Sequence, residues 1–215
     1  MPVAIQPSIR PDDILIVIDM QNDFLAGGPL AVPGGNSLIA PINTLAKRFQ
    51  HVIVTQDWHP AGHISFSSTH PGKRPFTDTV QAPYGTQTLW PDHCLIDSQG
   101  AALHPDLDLP NTELVLRKGF RTGIDSYSAF LENDGTTSTG LRGYLRDRKL
   151  HRLFFTGVAY DFCVGSSAID GSKLGFDCYV IDDLTAGIDT TTAIPAMQQR
   201  LAAVGVHRII QADLR

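Results

Sequence analysis

The chain has 215 residues, 42% of them hydrophobic and 18% charged, the balance of an ordinary globular protein. Its formal net charge of −5 argues against a nucleic-acid or anionic-membrane partner. No apolar run approaches a membrane span, the N-terminal MPVAIQPSIRPDD lacks the basic-then-apolar pattern of a signal peptide, and the 3 cysteines form no CxxC, so a reduced, cytoplasmic setting is expected.

In chain order, Asp13 to Met20 is a continuous apolar run closed by Asp19, the pattern of a strand buried on both faces. A Gly/Pro-rich loop follows, and then Leu38, Ile42, Leu45 and Phe49 recur at helical spacing. His51 to Gln56 is a second strand, leading directly into Asp57-Trp58-His59-Pro60. The region of about 57–111 is rich in Pro, Gly and His and shows little periodicity, which points to an active-site loop region rather than a plain connection. Thr112 to Arg117 is a third strand, running into Lys118-Gly119. A helix capped near Ser138 turns Leu141, Tyr144 and Leu145 inward.

Leu153, Phe154 and Phe155 then form a strand that ends at Thr156-Gly157, and the residues from Ala159 onward start a helix with Cys163 on its first turn. Phe176 to Asp182 is a fifth strand, Ile194, Met197, Leu201 and Val204 mark a last helix, and Val206 to Gln211 a final short strand. Alternating strands and helices over residues 1–215, without linker or repeat, predict a single α/β domain. Its expected form is an open, mostly parallel sheet of about six strands with helices on both faces. In such folds ligands bind at the carboxyl ends of the strands.

Those ends carry Asp19, the Asp57/His59 pair, Lys118 and Cys163. Each alone has an ordinary explanation: a turn cap, a surface loop, a solvated lysine, a small buried thiol. Together they suit a cysteine amidohydrolase. Asp19 takes the thiol proton and later gives it to a leaving amine, and Lys118 orients Asp19 and favours the thiolate, as does the start of a helix. Cys163 attacks an amide carbonyl, with backbone N–H groups of Ala159 and Cys163 around the oxyanion. Asp57 and His59, two residues apart, can face one cation, and His93 in Trp90-Pro91-Asp92-His93-Cys94 supplies a third ligand. His63 is a further candidate. Asp92 and Cys94 diverge from His93 and are left out.

The segments Ile16-Val17-Ile18-Asp19-Met20-Gln21-Asn22-Asp23-Phe24, Asp57-Trp58-His59-Pro60, Trp90 to Cys94, Arg117-Lys118-Gly119 and Gly157 to Val164 stand in the order found in nicotinamidases. The chain thus resembles this group of the isochorismatase-like cysteine hydrolases from Ile14 to Gln211. The resemblance implies a three-layer sandwich fold, a catalytic triad of Asp19, Lys118 and Cys163, and a metal held by Asp57, His59 and His93. It also implies ring-walling roles for Phe24, Trp90 and Tyr127 and a cis peptide at Val158–Ala159.

The expected reaction is hydrolysis of nicotinamide to nicotinate and ammonia in NAD salvage, with pyrazinamide as an accidental substrate. One divalent transition metal per chain is expected: zinc first, with iron or manganese accepted by the same ligands. Self-association into a homo-oligomer is left open. Two departures bear on pocket shape: Tyr160 stands where many nicotinamidases have Thr, and Asp97-Ser98-Gln99-Gly100-Ala101 replaces the usual Gly-Thr-x-Gly-Ala.

Overall fold

The computed structural model describes residues 6–215, so the first five residues of the N-terminal stretch read for a leader pattern lie outside it. Its centre is a six-stranded, wholly parallel sheet: β1 (Asp13–Ile18), β2 (His51–Asp57), β5 (Thr112–Lys118), β6 (Arg152–Val158), β7 (Asp177–Ala186) and β8 (His207–Ile209). The order across the sheet is β5-β2-β1-β6-β7-β8, so the chain winds outward in one direction from β1 and then in the other from β6. Ligand crevices form where the winding reverses, between β1 and β6.

Every residue of β1 is buried, which accounts for its unbroken apolar run. Leu15 and Val17 point to one core together with Ile42 and Leu45 of α1 (Ile39–Ala46). Ile14, Ile16 and Ile18 point to the other, with Leu141 and Leu145 of α2 (Leu141–Asp147), Ala168 and Ile169 of α3 (Gly165–Lys173), and Met197 and Leu201 of α4 (Ala193–Ala203). Strand side chains alternate between faces, so one apolar run serves both layers.

Three details depart from the sequence reading. The helix expected to be capped near Ser138 begins after Gly140, in left-handed backbone at φ 98°, and the Ser138 hydroxyl accepts the Gly140 N–H. The 57–111 region holds a hairpin of β3 (Thr79–Ala82) and β4 (Gly85–Thr88). Its strands TVQA and GTQT are too polar and short to announce themselves. Cys163 lies on a turn of π-helix, Tyr160–Val164, which precedes α3. Among the described residues no helix is long and apolar enough to cross a membrane.

Gly157 shows how the site is drawn together. It stands opposite Ile18 in the β1–β6 register, at φ 102°, and a Cβ there would collide with the Ile18 carbonyl oxygen. Glycine thus lets the end of β6 run tight against the end of β1.

Candidate active site

Three strand ends deliver the charged groups. Asp19 follows β1 at φ 48°, and its N–H donates to Thr55 Oγ1 at 3.1 Å. That hydroxyl in turn donates to Asp19 Oδ1 at 2.5 Å, which fixes the carboxylate. Asp57 and Lys118 are register partners at the ends of β2 and β5. The Lys118 ammonium donates to Asp57 Oδ1 and to the Ser126 carbonyl at 3.0 Å, and lies 2.8 Å from Asp19 Oδ2.

From the turn after β6, Cys163 Sγ comes to 3.4 Å from Lys118 Nζ. Reactive atoms of Asp19, Asp57 and Cys163 all lie within 4.8 Å of one another. Four segments distant in the chain therefore meet at the β1/β6 reversal, as the strand ends implied. The Val158–Ala159 peptide is cis, as the resemblance implied.

Asp19 and Lys118 are wholly buried, and Asp57 and Cys163 nearly so. Burial works against the ammonium of Lys118, but Asp19 and Asp57 hold its pKa well above the ordinary lysine value. Burial also disfavours charge on Asp57, yet Lys118 and the two imidazoles hold its carboxyl below the usual range. For Asp19 burial outweighs Lys118, and Asp57 adds to it, so its pKa rises. The two carboxylates are thereby pushed apart: Asp57 stays ionised while Asp19 becomes the better proton acceptor.

Cys163 departs from expectation. Burial pushes its thiol up, and Lys118 pulls it down against the opposing charges of Asp19 and Asp57, which leaves it well above the usual thiol value.

The metal candidates converge on the second oxygen of Asp57. His59 Nε2 lies 3.6 Å and His93 Nε2 3.9 Å from Asp57 Oδ2. Each imidazole gives its other nitrogen to a backbone carbonyl: His59 Nδ1 to Gly119 at 2.7 Å and His93 Nδ1 to Pro91 at 2.8 Å. Carbonyls only accept, so Nδ1 of each ring carries a proton, and each Nε2 faces the carboxylate. Burial and His59 push His93 down to about 4, keeping it neutral. Three buried donor atoms facing one another, a carboxylate oxygen and two imidazole nitrogens, fit a divalent cation.

The surroundings hold this set in shape. Gln21 donates to the carbonyls of Asp57 and Ala101 at 2.8 Å each and accepts the Asp57 N–H at 2.8 Å. Asp23 Oδ2 accepts the Cys94 N–H at 2.7 Å, and His59 N–H donates to the Cys94 carbonyl at 2.9 Å, which brings the two ligand segments side by side. His63 stacks on His59 with centroids 4.2 Å apart. Its Nδ1 faces Ser65 Oγ at 2.8 Å and its Nε2 the Ile124 carbonyl at 3.3 Å, so both nitrogens have protein partners outside the Asp57 set.

A cavity opens onto both groups, lined by Cys163 and Ala159 and by Asp57 and His93. Phe24, Trp90 and Tyr127 line it as the resemblance implied, together with Leu30, Asp125, Phe162 and Ile188, which the sequence reading missed. Phe162 meets Trp90 edge-on, centroids 4.9 Å apart and planes at 88°, and Tyr127 at 5.4 Å. Its place beside Cys163 was the available signal; Ile188 and Asp125 stand in loops with none.

A family profile for the isochorismatase domain matches residues 13–208. The chain belongs to the isochorismatase family. It is 52% identical to the curated nicotinamidase of Acinetobacter baylyi over 93% of each chain. Among solved structures, a nicotinamidase/pyrazinamidase of Acinetobacter baumanii superposes with a TM-score of 0.93 at 46% identity, covering 95% of this chain and 98% of that one. A pyrazinamidase of Pyrococcus horikoshii solved in complex with zinc superposes at 0.76 with 30% identity, covering 93% and 99%.

Proposed function

We propose that this isochorismatase-family chain is a nicotinamidase, a cysteine amidohydrolase that converts nicotinamide to nicotinate and ammonia in NAD salvage and also accepts pyrazinamide. The observation that carries this reading is one cavity lined both by Cys163, which contacts the Lys118–Asp19 pair, and by Asp57 and His93 of the Asp57–His59–His93 set. An aromatic amide with a ring nitrogen has a chemical partner at each end. Phe24, Trp90 and Tyr127 wall the ring between them.

In the first half-reaction Cys163 Sγ bonds to the amide carbon while Asp19 takes the thiol proton. Backbone N–H groups of Ala159 and Cys163 receive the oxyanion. Asp19 returns the proton to the departing nitrogen, the C–N bond breaks, and ammonia leaves a thioester on Cys163. In the second half Asp19 takes a proton from water, whose oxygen bonds to the thioester carbon. The C–S bond breaks, Sγ recovers the proton held by Asp19, and the new carboxyl group gives its own proton to solvent as nicotinate leaves. Lys118 stays charged throughout and holds Asp19 in place.

Asp57, His59 and His93 are assigned as the ligands of one divalent metal, zinc ahead of iron or manganese. When bound, such an ion supplies Lewis-acid binding for the pyridine nitrogen. An ammonia-release assay on nicotinamide, before and after chelation, tests the reading. Equimolar nicotinate and ammonia, lost on chelation and restored by a divalent metal, is expected. No release from the metal-loaded protein sinks the proposal.

A further inference from the structure

Asp161 lies on the nucleophile turn between Ala159 and Cys163, is only 7% exposed, and takes no part in the reaction described above. Its two carboxylate oxygens accept the backbone N–H groups of Ile188 at 3.0 Å and Asp189 at 2.9 Å. Those amides belong to the strap 187–192 that joins β7 to α4. The strap starts beside the nucleophile turn, because Ala186 pairs with Val158. It is fixed at its far end by the Asp189 carboxylate, which accepts the N–H groups of Thr191, Thr192 and Ala193. Between these points Ile188 lines the cavity. The fit is close: a Cβ on Gly187 would meet Ile194 Cδ1 at 2.7 Å and Asp161 Oδ1 at 2.9 Å.

We propose that Asp161 is a positioning residue for substrate, clamping the strap to the nucleophile turn and so setting the distance between the Ile188 wall and Cys163. This rests on the cavity being the amide site. A carboxylate suits the task because two N–H donors need two acceptors; an asparagine amide turns a donor toward one of them. Ile188 offers the ring an apolar contact present alike in ground and transition state, so loosening it weakens binding more than turnover.

The test combines D161N, I188A and the double variant, with hydrogen exchange read at the strap amides. D161N is expected to speed exchange of the Ile188 and Asp189 N–H groups about tenfold or more and to raise KM for nicotinamide about tenfold, with kcat within about twofold. In the I188A background the same substitution is expected to leave KM nearly unchanged, because its effect passes through that side chain. Unaltered exchange, or a KM effect that persists in full in the I188A background, overturns the clamp.

Should D161N fail to fold, G187A crowds the Asp161 carboxylate and Ile194 and so displaces the strap, and an unchanged KM there overturns the proposal equally. A wild-type enzyme that releases no ammonia removes the amide site itself, while the exchange measurement still reads the clamp.

Discussion

Lys118 and Asp57 stand opposite each other at the ends of neighbouring strands, and the ammonium of one donates to Oδ1 of the other. Asp57 Oδ2 meanwhile faces His59 and His93. One buried carboxylate thus belongs to both the proposed nucleophile cluster and the proposed metal set. Among the described residues Lys118 is the cation bridging Asp19 and Asp57, so its removal leaves two buried carboxylates close together. Lys118→Met is expected to cost about 3–5 kcal/mol of stability, measured by denaturant unfolding, besides abolishing ammonia release. A variant of wild-type stability contradicts the ion-pair account.

Cys163→Ala removes a small buried thiol that makes no contact essential to the sheet. Ammonia release should vanish, with the circular dichroism and thermal midpoint of the wild type nearly kept. Measurable turnover excludes a thioester.

Thr55 lies outside the cavity but fixes the proposed proton acceptor. Its hydroxyl donates to Asp19, an interaction that pulls the Asp19 pKa down against burial. Thr55→Val keeps the shape and deletes the donor, so the Asp19 pKa rises further. The acidic limb of the kcat/KM profile should move to higher pH, with kcat lowered about tenfold to a hundredfold. An unmoved limb argues against Asp19 as the base.

His93 gives the chelated protein a pH signature. Its folded pKa, about 4, lies below the ordinary imidazole value of 6.5 because the charged form is disfavoured by burial and by His59. As pH falls through 6.5 the unfolded chain gains a proton that the folded chain refuses until about 4. Stability is therefore lost across that window, by roughly 3 kcal/mol from this group. Thermal melts of chelated wild type against chelated His93→Gln at pH 7 and 4.5 isolate the effect, and equal losses in both contradict it. Wild type loaded with metal is expected to resist the fall until the ion is released.

Much of this protein was visible before any coordinates. The alternation of apolar strands with helical spacings marked all six strands of the sheet and the helices over it, because strands buried on both faces, such as β1, read as apolar runs. The residues proposed as triad and metal ligands stand at the strand ends or in short motifs where folds of this class gather ligands, whereas Phe24, Trp90 and Tyr127 were expected at the cavity only from the resemblance.

What only the folded chain decided lies in long-range contacts. Sequence spacing does not say that Gly157 lets β6 close on Ile18, that Asp57 turns one oxygen to Lys118 and the other to two imidazoles, or that Thr55 steers Asp19. Nor does it reveal that Ile188, in a loop, walls the cavity under the hold of Asp161. The Cys163 thiol is the clearest case. A lysine and a helix start favour its thiolate, while burial and the charges of two carboxylates oppose it. Local pattern records what each residue prefers, whereas desolvation and charge coupling depend on which neighbours the fold brings within a few ångströms.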